Sequence, residues 1–348
     1  MTELKIEYES GKFIEVNLSD YLLFLGGQNK WKRKIVRSLK RFSIAKSLDQ
    51  LEEEVYGENG IEFYYGDKQL KGKDTNFMFL EDNMSINNQL SFTKGNLMHQ
   101  ELSELQHGMD VTTQMEKINN ELINLELILN EHLSQFSDSI SGNLGSMLFT
   151  DILKTNLNLT YFTEKHDYPL EMINSSELLD EYIKLLEVMI ERKEEMIWLV
   201  IINPESFLET KDFQFLFEEL KRISQETNQL KFFVFSNRSL EIKYTAEDIG
   251  KTILLYDYYE QLPEYEAFEQ SIKRHYPDEL NISSQEIVDS FYRISHLVGK
   301  DVCEDCYLDA RDMVLLKVIN NMLQITVDTE TSVKTLTQLE KAFLEDTH

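Results

Sequence analysis

The sequence predicts an α/β fold with a helical insertion and a helical C-terminal extension. Three observations lead to this class: apolar runs typical of strands before residue 85 and again after residue 195, a helical periodicity between them, and more helical periodicity after Pro263. Helices that separate apolar strands indicate a parallel sheet with both faces covered. We therefore predict a discontinuous head domain of residues 1–85 plus 195–260, a helical domain of residues 86–194 and an extension of residues 261–348.

The predicted head domain begins with strands. Two stretches of alternating apolar and polar residues flank the turn residues Ser10 and Gly11, and the continuous apolar run YLLFL at residues 21–25 predicts a buried strand. Residues 61–81 predict two or three further strands. The later runs WLVII, LKFFVF and KTILL predict buried strands of the same sheet, with a helix over residues 212–225 between the first two.

The predicted helical domain contains one long amphipathic helix and several shorter ones. The stretch MEKINNELINLELILNEHL, which ends at Leu133, repeats apolar residues at helical spacing. The stretch FSDSISGNLGS at residues 136–146 predicts a turn. Further helices are predicted over MLFTDILKTNLNLTYF and over SSELLDEYIKLLEVMIERKEEM.

A glycine-containing break follows the strand YLLFL and resembles a degenerate phosphate-binding loop. Gly26 opens the pattern G-x-x-x-x-G-K-[ST], and Lys32 stands at the lysine position. Trp31 replaces the second glycine, Arg33 replaces the serine or threonine, and Asn203 stands where an aspartate would end WLVII. Because both positions that hold magnesium are changed, we predict a P-loop-like head without ATP hydrolysis and without catalytic residues. An active P-loop ATPase that acts on DNA is the alternative.

The helix after this loop carries an unusual charge segregation. Residues 21–48 contain no acidic residue and 8 of the 35 basic ones, so the remaining chain holds 27 basic and 62 acidic residues, a formal charge of −35. On a helical wheel, Ile35, Leu39 and Phe42 fall on one side and most basic residues fall on the other. We predict that phosphate oxygens contact these residues: Lys30, Lys32, Arg33, Lys34, Arg37, Lys40 and Arg41.

A polyanion that offers phosphate oxygens is the partner that this surface favours. No recognition-helix pattern of base-reading side chains is present, so binding without sequence specificity is expected. An acidic membrane surface is the competing partner, but the basic face lacks the Trp, Phe or Leu side chains of membrane-binding helices.

Composition and motif content exclude several other classes. The longest strongly apolar run has seven residues, whereas a membrane span needs about twenty. The N-terminus has no signal region, and two cysteines in 348 residues favour a reducing cytoplasm. Cys303 and Cys306 form a lone CEDC pair, which we interpret as ordinary thiols because a zinc site needs four ligands. No HExxH or GxSxG motif occurs.

The order of these elements resembles a known family. The stretch LLFLGGQNKWKRKIVRSLKRFS, a helical insertion containing MLFTDILKTNLNL, and the stretch from IWLVIINPE to KFFVFSN follow one another as in the type II-A CRISPR-associated spacer-acquisition proteins, the Csn-two family. The resemblance covers about residues 1–258. The additional C-terminal residues resemble the long, streptococcal-type variant.

The resemblance implies several properties beyond those predicted from the residues. It implies an ABC- or SMC-like ATPase head without ATPase activity, and a homotetrameric ring that encircles linear double-stranded DNA ends during spacer acquisition. It also implies that the protein acts together with the CRISPR integrase proteins and the effector nuclease. Many family members bind calcium, but the stretch at residues 136–146 offers only Asp138, so no metal ligands are assigned.

Overall fold

The computed structural model describes residues 2–163, 166–193, 195–300, 308–326 and 337–345. The chain forms two compact units, one of residues 1–82 with 194–348 and one of residues 83–193. Cys303 and Cys306, predicted to be ordinary thiols, lie outside the described residues.

The first unit begins with strands and two helices. In chain order they are β1 (Thr2–Glu9), β2 (Lys12–Leu18), β3 (Tyr21–Leu25), α1 (Asn29–Ser43), α2 (Gln50–Tyr56), β4 (Phe63–Tyr65), β5 (Lys68–Leu70) and β6 (Asn76–Leu80). Every residue of β3 is buried, as its continuous apolar run predicts. Helix α2 begins with a capping box between Asp49 and Glu52, which satisfies two backbone amides that a helix start leaves unpaired.

The second unit is mostly helical. Its elements are α3 (Asn83–Gln89), α4 (Leu97–Glu104), α5 (Met109–Ser134), α6 (Phe149–Asn156), β7 (Thr160–Phe162), β8 (Asp167–Pro169) and α7 (Ser175–Arg192). The predicted helix over MLFTDILKTNLNLTYF is wrong at its C-terminal end, where Thr160–Phe162 pairs with β8. The physical reason is local: β-branched and aromatic residues such as those of TYF favour strands.

The chain then returns to the first unit. Its remaining elements are β9 (Ile197–Ile202), α8 (Thr210–Thr227), β10 (Leu230–Phe235), α9 (Ala246–Ile249), β11 (Thr252–Leu255), β12 (Tyr259–Gln261), α10 (Tyr265–His275), α11 (Ser284–Ile294), α12 (Ala310–Met322) and α13 (Gln338–Glu345). The helices predicted after Pro263 therefore belong to the same compact unit as the strands.

Two sheets share the core of the first unit. The larger sheet has the order β12-β11-β3-β10-β9-β6, in which β12 alone is antiparallel to its neighbour, and the smaller antiparallel sheet has the order β2-β1-β4-β5. Side chains of both sheets and of α1 form one apolar cluster, which includes Leu4, Phe63, Trp198 and Phe233. The predicted α/β class is thus confirmed, with mixed rather than purely parallel strands.

Helix α1 buries the stripe that its periodicity predicts. Ile35 and Leu39 are fully buried and Phe42 is nearly so, and all three join the shared cluster. Burying each such side chain stabilises the fold by about 1.5–3 kcal/mol. The opposite side of α1 is thereby fixed toward solvent.

Helix α5 has no buried residue at all. An extended segment runs along one side of it: Asn119, Glu126 and Asn130 bind the backbone of Met147, Leu144 and Gly142, respectively. On another side lies a heptad-spaced row, here called the α5 seam, formed by Val111, Met115, Ile118, Leu122, Leu125 and Leu129. Ile118 is 38% exposed and Leu125 is 52% exposed.

Candidate nucleic-acid interface

The turn between β3 and α1 depends on Gly26. Its φ of +101° is strained for residues with a side chain, and a Cβ there would lie 2.2 Å from the carbonyl oxygen of Leu255. The glycine therefore allows the loop to pass directly beside the end of β11. The first glycine of the phosphate-loop pattern has a packing role within this chain.

Backbone amides that a phosphate-binding loop would offer to a nucleotide are used internally here. The amide of Gly27 donates to the carbonyl oxygen of Val298 at 2.8 Å, and the amide of Gln28 donates to that of Leu255 at 3.3 Å. A Cβ on Gly27 would lie 2.6 Å from the Cβ of Lys300, so the space beside this glycine is also filled. Phosphate oxygens could reach these amides only if the chain moved away.

Lys32 lies in the interior and not on the predicted basic face. It is 3% exposed, and its ammonium donates to the carbonyl oxygens of Gly26, at 2.8 Å, and of Ser236. Burial lowers its pKa to about 7; Glu205 opposes this shift and Lys300 adds to it. The prediction that Lys32 contacts DNA is therefore corrected, because its charged group is directed away from solvent.

The strand end opposite this loop offers no magnesium-binding carboxylate in the usual place. Asn203 adopts a left-handed backbone with φ of 50°, and Glu205 accepts a hydrogen bond at 3.0 Å from the backbone amide of Asn237. The other oxygen of Glu205 has no hydrogen-bond partner among the described residues. Trp31, at the second glycine position, packs its ring against Tyr8 with centroids 4.8 Å apart. These side chains fill and anchor the loop region.

Three of the predicted DNA-binding residues pair with carboxylates from other elements. Lys34 pairs with Glu9, Lys40 pairs with Glu81 at 2.5 Å, and both the Nε and Nη2 atoms of Arg41 bind Glu52, at 2.6 and 2.9 Å. The hydrogen bonds from Lys34 and then Lys12 hold the pKa of Glu9 below its usual value. Sequence reasoning missed these carboxylates because they lie outside the acid-free stretch.

Lys30, Arg33 and Arg37 remain as the exposed, unneutralised part of the predicted surface. None of them forms an ion pair with another residue in the described ranges. The Nε atom of Arg37 donates to the Tyr56 hydroxyl at 3.1 Å, which holds the guanidinium without cancelling its charge. These three residues, one turn apart along α1, are called the α1 basic row below.

The calcium that the resemblance implies does not fit the described residues. Calcium takes six to eight oxygen ligands, chiefly carboxylates. No cluster of three or more His, Cys, Asp or Glu side chains in the described ranges is placed to hold a metal ion. Beside the extended segment, Glu126 of α5 already accepts a hydrogen bond at 2.7 Å from the backbone amide of Leu144. No described helix is long and apolar enough to cross a membrane.

Comparisons with known proteins agree with the resemblance. The sequence matches the family "CRISPR-associated protein Csn2 subfamily St" over residues 14–345. The crystal structure of Stu0660 of Streptococcus thermophilus is similar over 98% of this chain and 99% of its own, with a TM-score of 0.80 and 16% identity, which shows a shared fold. A search of curated proteins gave no match.

Two ATPase-type structures are weakly similar. The SmcHead bound to the C-winged helix domain of ScpA aligns over 77% of this chain and 98% of its own, with a TM-score of 0.44 and 10% identity. A nucleotide-free ATP-binding cassette from an ABC transporter aligns over 78% of this chain and 96% of its own, with a TM-score of 0.37 and 10% identity. The family match spans nearly the whole chain, and on that ground this protein belongs to the St subfamily of the CRISPR-associated Csn2 proteins.

Proposed function

We propose that this protein binds double-stranded DNA without catalysing a reaction, and that it acts in CRISPR adaptation at the ends of linear DNA. The observation that carries the proposal is the α1 basic row: three exposed cations without ion pairs in the described ranges, on a chain whose net charge is −27. Backbone phosphates are the partners that such a row favours, and a phosphate contact carries no sequence information. Membership of a CRISPR-associated family supports the biological setting.

The absence of ATP hydrolysis is part of the proposal. We regard the head as a degenerate P-loop domain of the ABC/SMC type, in which the amides and the lysine of the loop form hydrogen bonds within the chain. The backbone amides of Gly27 and Gln28 donate hydrogen bonds to backbone carbonyl oxygens, and the ammonium of Lys32 also donates to backbone carbonyl oxygens. Phosphate release in the presence of magnesium, ATP and DNA is expected at background. Turnover that disappears in Lys32→Ala would instead identify an active ATPase.

We further propose that the protein acts as a cyclic homotetramer in the cytoplasm, alongside the CRISPR integrase proteins and the effector nuclease. One basic row offers only a few phosphate contacts, whereas several rows turned toward one axis add their potentials. The α5 seam supports assembly between copies, because a heptad row of apolar residues is typical of a helix that packs against another helix. The seams of two copies can pack against each other when the two α5 helices run antiparallel.

Charge reversal tests the DNA-binding proposal. The variant Lys30→Glu, Arg33→Glu, Arg37→Glu is expected to lose duplex binding, and the slope of log affinity against log salt should fall by roughly 0.9 for each lost phosphate contact. The matched control is Lys184→Glu, Lys211→Glu, Lys273→Glu, which changes the net charge equally at exposed positions elsewhere. Affinity is measured on two unrelated duplexes across a salt series. Equal losses in both variants, or strong preference for one duplex, would contradict the proposal.

Encirclement has its own test. One plasmid, intact or linearised, is mixed with the protein at low salt, and the lifetime of the complex is measured. DNA can thread through a closed ring only by one of its ends, so a long-lived complex is expected on the linear plasmid alone. Equal lifetimes on both forms would leave DNA binding intact and reject the ring.

A further inference from the structure

The C-terminal part of the chain docks on the loop that precedes α1. In the segment 297–300, the carbonyl oxygen of Val298 accepts from the amide of Gly27 at 2.8 Å, and the side-chain amide of Gln28 donates to the Gly299 carbonyl at 3.5 Å. On its other side, the Gly299 amide donates to the side chain of Asn320, which lies on α12, at 3.1 Å. The segment is thus held between the loop and a C-terminal helix.

Gly299 makes this docking geometrically possible. Its φ is +75°, and a Cβ at this position would lie 2.6 Å from the Cβ of Tyr256. The left-handed backbone and the close approach both require a glycine. The direction in which the next side chain leaves the backbone is therefore fixed by packing.

That next residue, Lys300, begins beside the N-terminal end of α1. Its Cβ lies 2.6 Å from the position that a Cβ on Gly27 would take, its backbone amide donates to the Leu297 carbonyl at 3.0 Å, and its side chain is exposed. It forms no ion pair with any residue in the described ranges. Its charge adds to burial in lowering the pKa of His296 to about 4.

The N-terminal end of α1 is favourable for anions. The first turn of the helix contains no acidic residue, so no negative charge within that turn opposes the cations at this end of α1. Lys30 and Arg33 of the α1 basic row lie within this turn and the next. We infer that Lys300 contacts the DNA backbone together with the α1 basic row, so that the C-terminal region completes the DNA-binding surface. The inference rests on the proposed DNA-binding function.

The test replaces Lys300 in the full-length protein and measures duplex affinity across a salt series. For each copy that contacts DNA, Lys300→Gln is expected to lower the slope of log affinity against log salt by roughly 0.9 and the affinity at 0.1 M salt by about fivefold to tenfold. Lys300→Arg should restore the affinity. Arg274→Gln is the matched control, because Arg274 is an exposed cation on α10 in the same C-terminal part.

The outcomes separate the inference from the function beneath it. Circular dichroism, melting temperature and native mass must be unchanged in Lys300→Gln, so that the loss reports a charge and not a fold. If the wild type binds with strong salt dependence and Lys300→Gln binds equally well, the inference is overturned and the proposed function stands. If the wild type shows no salt-sensitive affinity for duplex DNA, both are overturned. An equal loss of duplex affinity in Arg274→Gln would show that net charge alone causes the effect, and this outcome would also overturn the inference.

Discussion

Helices α1 and α5 are both amphipathic, but only α1 has its apolar side covered within its own unit. In α1 the apolar stripe meets two sheets, and the polar side is partly neutralised by three carboxylates, one on β1, one on α2 and one directly after β6. In α5 no residue is buried, and the seam residues Ile118 and Leu125 remain 38% and 52% exposed. Helical periodicity therefore defines a face, while what covers that face depends on the rest of the assembly.

The strongest effect that we expect concerns the α5 seam. Ile118→Glu together with Leu125→Glu places two charges in the seam, and burying unpaired charges is costly, so we expect the native mass to fall to that of a smaller assembly. Ile123→Glu together with Leu127→Glu is the control, because these residues are more exposed, at 59% and 64%, and lie off the seam. Native mass spectrometry distinguishes the two variants. An unchanged mass in the seam variant would show that α5 is not an interface between copies.

Truncating one apolar side chain in each helix should lower the free energy of unfolding by different amounts. Leu39→Ala in α1 should lower the free energy of unfolding by about 3 kcal/mol, because it leaves a cavity at a fully buried position. Leu127→Ala in α5 should change it by less than about 0.5 kcal/mol, because that side chain is 64% exposed. Urea unfolding of both variants measures the contrast. Similar losses would mean that Leu127 is covered in solution.

The buried end of α1 should make stability depend on pH. The pKa of Lys32 is about 7 in the folded protein against an ordinary value of 10.5, so the unfolded chain binds more protons between these values. The free energy of unfolding therefore rises with pH over this range, by about 2 kcal/mol between pH 7 and pH 9.

Lys32→Met isolates this contribution, because methionine does not titrate. We expect its urea midpoint to be lower at all pH values, owing to the unpaired carbonyls, and to rise less between pH 7 and pH 9 than that of the wild type. An identical rise in both proteins would assign the pH dependence to other groups and contradict the position of the Lys32 ammonium.

The weakest effect that we expect concerns calcium and the segment beside α5. Because no described cluster there offers enough carboxylates, calcium at millimolar concentration should shift the melting temperature by less than about 1 °C. The measurement compares calcium with magnesium at equal ionic strength. A specific upward shift with calcium alone would show a site formed by other residues or by several copies.

Much of the head was predictable from local sequence. The buried strands β3, β9, β10 and β11 follow from continuous apolar runs, because an apolar run bounded by turn residues has few other stable arrangements. The proposal that this loop binds no nucleotide also began from the sequence, where Trp31 and Arg33 replace two residues of the phosphate-loop pattern. The hairpin of β7 and β8 was missed, because two strands of three residues leave almost no periodic signal.

The α/β class, the orientation of α1 on the sheet and the concentration of positive charge along that helix all follow from the sequence alone. Each depends on a periodicity or a composition that neighbouring residues establish. Only the folded structure decides which of those charges remain unpaired. It buries Lys32, pairs Lys34 with Glu9, and places Lys300 beside a loop that is more than 270 residues away in the sequence. The reason is that Coulomb energy and desolvation depend on distance and burial in space, which an acid-free stretch of sequence does not specify.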